Sequence, residues 1–166
     1  QFGFGKELKM QWINNSAGKI IDNPKLYDID KASLGYGYSL TSNSLQIARA
    51  YSVFANEGIM IEPKILPEIK SERVRVLSKS TASFILDSLR MTVLDGTASN
   101  LKNERVEIAG KTGTSENYIE GVGYASEKYI SSFASIFPYN NPKFIMIVSI
   151  DEPDPNKYFG GDLSLI

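Results

Sequence analysis

The sequence predicts an α+β fold in which helices pack on an antiparallel sheet. Two segments between residues 45 and 94 repeat apolar residues at helical spacing, whereas segments after residue 105 alternate apolar and polar residues as strands do. A short turn-forming stretch joins the last two of these segments, and the strands follow one another along the chain, so they are expected to pair antiparallel. The 166 residues are 42% hydrophobic and 22% charged, which suits one domain with a core of its own.

The first part of the chain, residues 1–31, is expected to be irregular. Residues 14–18 and Asn23-Pro24 are typical of turns, and Trp12 and Ile13 are candidates for filling a core. The charged residues that follow are interpreted as a solvated polar face, because a metal site would need more oxygen ligands in a defined loop. These residues are Asp28, Asp30 and Lys31.

The first predicted helix runs from Leu45 to Asn56. Its cap is expected at Thr41, Ser42 or Asn43, because such side chains accept hydrogen bonds from the first helical turn. Gly58 is a natural C-terminal stop. The apolar residues form a stripe at helical spacing, interpreted as core: Ile47, Ala48, Tyr51, Phe54 and Ala55.

The second predicted helix covers residues 80–94, with Ser78 or Ser80 as its cap and Gly96 at its end. Between the helices, Pro63 and Pro67 limit residues 61–69 to edge strands or extended backbone, since proline cannot donate to a strand ladder. Residues 73–77 alternate charged and apolar side chains as a short strand would. The stripe of the second helix is also interpreted as core: Ala82, Ile85, Leu86, Leu89 and Val93.

Three strands are predicted in the last third of the chain. The first runs from Val106 to Ser115 and is followed by a polar loop over residues 116–128. The second and third cover residues 130–137 and 143–150. The stretch 138–142 joins them, because its prolines and asparagines are typical turn formers. The three strands together predict an antiparallel meander.

Composition excludes several functional classes. The formal net charge is −1, so no general electrostatic attraction to nucleic acid or to an anionic membrane is expected. The chain contains no cysteine and no histidine, which excludes disulfides, thiolate metal sites and serine–histidine catalysis within it. No apolar run is long enough to span a membrane. A serine–lysine mechanism remains compatible with this composition.

The most informative motif is Gly110-Lys111-Thr112-Gly113-Thr114 at the end of the first predicted strand. One cation, two hydroxyls and glycine-flanked backbone suit a carboxylate, and they also suit an oxyanion if the N–H groups converge. A phosphate-binding loop requires a further glycine five residues before Gly110, where this chain has Arg105. An ordinary edge strand with a solvated lysine is the alternative interpretation of the triplet alone.

Other segments narrow the interpretation, because they occur in a fixed order along the chain. The motif together with these segments resembles the C-terminal part of the transpeptidase domain of class B penicillin-binding proteins, which are monofunctional cell-wall D,D-transpeptidases. The resemblance extends from Phe2 to about Gly161. The segments are Phe2-Gly3-Phe4-Gly5, residues 32–41, residues 45–51, residues 54–58 and Asp95-Gly96-Thr97-Ala98.

The resemblance implies an incomplete form of the transpeptidase fold, which is shared with serine β-lactamases. In the intact enzyme, Thr112 and Thr114 would hold the terminal carboxylate of a peptidoglycan stem peptide or of a β-lactam antibiotic. Lys111 would add positive charge there and assist proton transfer, and Gly113 would keep the strand close to the ligand. The N–H of Thr114 would be one donor of an oxyanion hole. No cofactor and no metal is implied, and Tyr118 would border the cleft.

The family's nucleophile lies in Ser-x-x-Lys and a further Ser-x-Asn element faces it; both are expected upstream of Phe2. Within the chain, Ser16-x-x-Lys19 and Ser99-x-x-Lys102 have the first form, but they fall in a turn and a loop. Ser115-x-Asn117 has the second form, yet it directly follows the Lys-Thr-Gly triplet. Residues 1–166 are therefore expected to form a single partial domain that is inactive alone.

Two alternatives remain open: a non-catalytic module that binds a carboxylate or a peptide on the same scaffold, and a fragment of a related serine β-lactamase. A partial domain would expose apolar faces, so its partner is expected to be the rest of the transpeptidase domain or a second copy of this chain. No nucleic-acid contact and no membrane contact of this segment is expected. The resemblance places the parent protein, the longer enzyme of which this chain would be a part, at the periplasmic side of the bacterial envelope and anchored in the inner membrane.

Overall fold

The computed structural model describes residues 1–10, 13–20, 27–38, 40–119 and 123–154, and of residues 117–119 and 123–128 it describes the backbone alone. Three α-helices and seven strands lie in this part of the chain. The helices are α1 (Asp28–Gly35), α2 (Ser44–Ala55) and α3 (Lys79–Asp95). The strands are β1 (Lys19–Ile20), β2 (Leu40–Thr41), β3 (Ile59–Ile61), β4 (Arg73–Arg75), β5 (Ala109–Ile119), β6 (Gly123–Phe137) and β7 (Phe144–Asp151).

The main sheet has the order β5-β6-β7 and is antiparallel throughout. Helices α2 and α3 pack on one of its faces, where Leu89 of α3 is buried with Ala109 and Ile136 of the sheet. The predicted α+β class and the three-strand meander are thereby confirmed. Two separate two-stranded ribbons, β1-β2 and β3-β4, complete the strands that the structure describes.

The N-terminal end of α2 is capped as expected, at Asn43. Its side chain accepts from the N–H of Gln46 at 2.8 Å, and Gln46 Oε1 accepts from the N–H of Asn43 at 3.0 Å, which is a capping box. The helix ends at Ala55; the turn that follows contains Glu57 and Gly58, which both have positive φ angles (53° and 91°).

The prediction of which α2 residues are core was incomplete. The predicted stripe residues Tyr51, Phe54 and Ala55 do pack against the core, but they are only half-buried. The most enclosed positions lie on a second face that includes polar residues: Gln46, Arg49, Ala50, Ser52 and Val53. Hydropathy alone misses such positions, because their burial depends on hydrogen-bond partners far away in the sequence.

Buried polar groups of α2 hold the N-terminal segment. Arg49 donates from Nη2 to the carbonyl oxygens of Phe2 (3.1 Å) and Gly3 (2.9 Å), and from Nη1 to both carboxylate oxygens of Glu62 (2.8 and 3.0 Å). Gln46 Nε2 donates to the carbonyls of Lys6 and Ala17, both at 2.9 Å. Gly3 has a φ of +72°, a conformation that favours glycine, and a Cβ there would clash with Arg49 Nη2. Close approach therefore explains the glycine.

Helix α3 follows its prediction closely. Ser78 caps it by accepting from the N–H of Thr81 at 3.1 Å, and Gly96 is its C-cap. Ala82, Leu89 and Val93 of the predicted stripe are buried, and Ile85 and Leu86 are half-buried against the core. The stripe was recognisable because its helical spacing is a property of one continuous segment.

Helix α1 is a correction to the prediction of irregular structure through residue 31. Asp30 Oδ2 accepts from the N–H of Tyr27 at 3.1 Å, and Lys31 pairs with Asp28 at 3.0 Å. The helix has no buried residue, and Ile29 is 74% exposed. With no apolar stripe facing a core, the segment lacks the periodicity by which the other helices were predicted.

The predicted loop 116–128 is also corrected, because the structure extends the hairpin there. Strand β5 continues to Ile119 and β6 begins at Gly123, with a register shift between Glu116 and Tyr118. Cross-strand hydrogen bonds impose strand geometry on this polar sequence irrespective of hydropathy. At the other end, β5 begins at Ala109 rather than Val106, which is 44% exposed.

Smaller differences concern the remaining segments. The extended stretch expected at 61–69 contributes only Ile61, since β3 ends there, and Ile13 is 43% exposed instead of filling a core. Strand β4 stops at Arg75, after which Val76 and Leu77 both donate to the carbonyl of Gly58. The predictions for Trp12 and for the turn at residues 23–24 lie outside the described residues, as does the end of the resemblance near Gly161.

Candidate functional site

The structure brings the four predicted site residues together on β5. This strand pairs with β6 on one side, and the described residues place no strand on its other side. Lys111 and Thr114 are exposed, whereas Thr112 and Gly113 are half-buried. Because side chains alternate along a strand, Lys111 and Gly113 belong to one face and Thr112 and Thr114 to the other.

The charged end of Lys111 nevertheless reaches its neighbour at the sheet edge. Lys111 Nζ donates to the backbone carbonyl of Thr112 at 3.0 Å and to Thr112 Oγ1 at 3.4 Å. An ammonium group and a threonine hydroxyl therefore converge on one exposed spot. Such a pair can bind an anion, because both groups can donate hydrogen bonds and one of them carries a positive charge.

A second hydroxyl joins this spot from outside the strand. Thr97 Oγ1 lies 2.7 Å from Thr112 Oγ1, although the two residues are 15 positions apart in sequence. Thr97 belongs to residues 96–108, which link α3 to β5 and are called the α3–β5 connector below. Sequence reasoning placed Asp95-Gly96-Thr97-Ala98 in the family pattern but assigned no role to Thr97; no local signal indicates which strand residue it reaches.

The two glycines of the motif have different structural reasons. A Cβ on Gly110 would lie 2.6 Å from the ring of Phe133 and 2.7 Å from the carbonyl oxygen of Ala134. Gly110 is therefore required by close packing against β6, not by a ligand. A Cβ on Gly113 would meet only Ser132 Oγ, at 2.9 Å, which a side-chain rotation can relieve.

The start of β5 is held by Arg90 of α3. Its Nη1 donates to the carbonyl of Ile108 at 2.9 Å, its Nη2 lies 3.5 Å from the carboxylate of Glu107, and its guanidinium lies 5.9 Å from the ring centre of Tyr139. Tyr139 donates its hydroxyl to Asp87 at 2.8 Å, and this bond raises the pKa of Tyr139. These contacts tie the connector and the β6–β7 turn to α3.

The serine motifs lie where the sequence suggested. Ser16 is exposed, and its hydroxyl accepts from the N–H of Gly18 in a turn. Ser99 is the first residue of a short 3₁₀-helix (Ser99–Leu101) in the α3–β5 connector, and Lys102 directly follows that helix. Ser115 continues β5 and is exposed, while the side chains of Asn117 and Tyr118 lie outside the described ones.

The described residues contain no group of three or more Asp, Glu, His or Cys side chains that could hold a metal ion. In the same part of the chain, none of the helices has the length and apolar character needed to cross a bilayer. The described site residues offer hydrogen bonding and positive charge, supplied by Lys111, Thr112, Thr114 and Thr97.

Comparison with known proteins finds relatives in sequence and in fold. The family model of the penicillin binding protein transpeptidase domain matches residues 1–164. The peptidoglycan D,D-transpeptidase FtsI of Escherichia coli is 30% identical over 168 residues, covering 99% of this chain and 28% of that protein. This chain thus spans under a third of the length of that curated relative.

Solved structures show the same fold. The apo transpeptidase domain of Burkholderia pseudomallei penicillin-binding protein 3 is similar with a TM-score of 0.85 and 30% identity, covering 98% of this chain and 50% of that one. Penicillin-binding protein 3 of Mycobacterium tuberculosis complexed with aztreonam is similar with a TM-score of 0.81 and 27% identity, covering 92% of this chain and 38% of that one.

Proposed function

Since the chain belongs to the penicillin-binding protein transpeptidase domain family, we propose that it is part of a serine-type peptidoglycan D,D-transpeptidase that also binds β-lactams. The observation that carries the proposal is the edge-strand site: Lys111 and Thr112 converge within a family match that covers almost the whole chain. A relative named as a peptidoglycan D,D-transpeptidase and a neighbour complexed with aztreonam support the substrate and the antibiotic, respectively.

The proposed reaction is acyl transfer. A serine hydroxyl from elsewhere in the parent attacks the penultimate carbonyl of the stem peptide, and the terminal D-alanine leaves as the amine. An amine of a stem peptide on a neighbouring peptidoglycan strand then attacks the carbonyl of the acyl-enzyme ester and releases the serine hydroxyl. Thr112 and Thr114 hold the terminal carboxylate, Lys111 supplies positive charge and assists proton transfer, and the Thr114 N–H donates to the developing oxyanion.

We place the parent protein at the periplasmic side of the bacterial envelope, anchored in the inner membrane. Residues 1–166 act there as one partial domain, because the Ser-x-x-Lys and Ser-x-Asn elements are not recognisable at suitable positions in them. The partner of this segment is the rest of the transpeptidase domain.

Intact mass after incubation with benzylpenicillin tests the proposal, on residues 1–166 and on the full-length parent. We expect a covalent adduct of one penicillin on the parent only. An adduct on the short chain would show that a serine such as Ser16 or Ser99 is the nucleophile. If neither polypeptide is modified, the transpeptidase proposal is wrong and a non-catalytic module is favoured.

The role of Lys111 is tested in the parent by Lys111→Ala, with the exposed Lys143→Ala as the matched control. Loss of a charge-assisted interaction of about 1.5–3 kcal/mol corresponds to acylation slowed by roughly 10- to 100-fold. The control should acylate at the unaltered rate. Equal rates for all three proteins would contradict the assignment of Lys111.

A further inference from the structure

Hydrogen bonds and packing fix the backbone on both sides of the exposed residue Thr97. The N–H groups of Gly96 and Ala98 both donate to the carbonyl oxygen of Thr92, at 3.1 and 3.2 Å. Ala98 is fully buried beside Phe133 and Val93. A Cβ on Gly96 would lie 2.8 Å from the same Thr92 oxygen, so the backbone turn at this point leaves no room for a larger residue. The backbone around Thr97 is thus held from both sides.

The hydrogen-bond inventory of Thr112 determines what Thr97 can contribute. A hydroxyl has one hydrogen to donate and two lone pairs to accept with. Lys111 Nζ, which can only donate, occupies one lone pair of Thr112 Oγ1, and Thr97 lies 2.7 Å from the same oxygen. If Thr97 donates to Thr112, both lone pairs of Thr112 Oγ1 are used. The single hydroxyl hydrogen of Thr112 is then available to donate to a ligand.

We infer that Thr97 is a positioning residue for carboxylate recognition: it donates its hydroxyl hydrogen to Thr112 and so reserves the Thr112 hydrogen for the carboxylate of the ligand. A carboxylate only accepts hydrogen bonds, so its arrival selects this direction of the Thr97–Thr112 bond. The inference rests on the proposed function, because it specifies how that site binds its anion. It predicts that Thr97 acts on carboxylate binding and not on the attack by serine.

The test compares two ligands on the full-length parent: benzylpenicillin and its methyl ester, in which the carboxylate is masked. Thr97→Val keeps the shape of the side chain and removes the hydroxyl, whereas Thr97→Ser retains a hydroxyl. Thr81→Val is the matched control, because Thr81 is an exposed threonine on α3 whose hydroxyl contacts Ser78 and not the site. The readout is the second-order rate of acylation for each ligand.

We expect Thr97→Val to slow acylation by benzylpenicillin about tenfold, the value of one net hydrogen bond, and to leave the ester within about twofold of the unaltered protein. Thr97→Ser should recover most of the rate, and Thr81→Val should change neither ligand. Equal slowing of both ligands would assign Thr97 a merely structural role, and no slowing would exclude any role; both overturn the inference. No acylation of the unaltered parent would overturn the proposed function itself.

Discussion

Among single residues, the buried polar side chains are those whose substitution is expected to lower stability most. Arg49 is 7% exposed, and its Nη atoms bind Glu62 and two backbone carbonyls. Removing one member of such a buried pair leaves the other charge without compensation and destabilises the fold. Substitution of these residues should therefore lower stability, although none of them touches the candidate site. Burial also acts on the titratable side chain of Tyr51: it disfavours the charged phenolate and raises the pKa of Tyr51 from 10.0 to about 12.

At the residue scale we predict that Tyr51 makes stability fall at alkaline pH. Below pH 10 the phenol is neutral in both states. Between pH 10 and about 12 the unfolded chain releases the proton while the folded chain retains it, so the free energy of unfolding falls by up to roughly 1.4 kcal/mol per pH unit.

The measurement is urea unfolding of the complete transpeptidase domain, with and without Tyr51→Phe, at several pH values. The difference in the free energy of unfolding between the two proteins should be constant from pH 7 to 9. Towards pH 12 it should change so that the phenylalanine variant becomes relatively more stable. Parallel curves over the whole range would refute the prediction. Other groups that titrate there affect both proteins alike and cancel in the difference.

At the scale of elements, the candidate strand is positioned by helix α3. Arg90 binds the residues just before β5, and Gly96 and Ala98 bring the α3–β5 connector back against the sheet. The Lys-Thr-Gly motif is therefore recognisable in the sequence, but its position depends on contacts to a helix that ends more than ten residues earlier. Those contacts combine charge, backbone and ring packing, which no periodic pattern encodes.

We predict that Arg90→Ala destabilises the transpeptidase domain by about 2–3 kcal/mol, because a largely buried guanidinium loses its bonds to Ile108 and Glu107. Arg73→Ala, an exposed arginine on β4, is the matched control and should change stability by less than about 0.5 kcal/mol. Denaturant midpoints of the three proteins give the comparison. Similar midpoints for the two variants would mean that Arg90 does not hold β5.

At the scale of the whole molecule, one face of the main sheet is exposed on its β7 side. Phe144 is 61% exposed and Met146 45% exposed on this face, and a cleft of about 410 Å³ lies between it and the α3–β5 connector. The helices α2 and α3 cover the opposite face. Exposed apolar surface of this size favours association with a partner that can bury it.

We therefore predict that residues 1–166, expressed alone, self-associate. Sedimentation velocity should show mass that increases with concentration, and Phe144→Lys combined with Met146→Lys should shift the distribution towards monomer, because charges oppose burial of the face. Phe84→Lys is the control, since Phe84 is 72% exposed but lies on α3. A monodisperse monomer of the unaltered chain at all concentrations would contradict the prediction.

The sequence by itself determined the α+β class, helices α2 and α3, the three-strand order and the Lys-Thr-Gly motif, because periodicity, caps and short motifs are local properties. Only the tertiary structure decided that Gln46 and Arg49 are buried, that β5 and β6 extend through the predicted loop, and that Thr97 reaches Thr112. For Gln46, Arg49 and Thr97 the physical reason is that their hydrogen-bond partners are distant in sequence, so only the path of the folded chain brings them together. For β5 and β6 the reason is cross-strand pairing, which gives strand geometry to a polar stretch that hydropathy does not mark as strand.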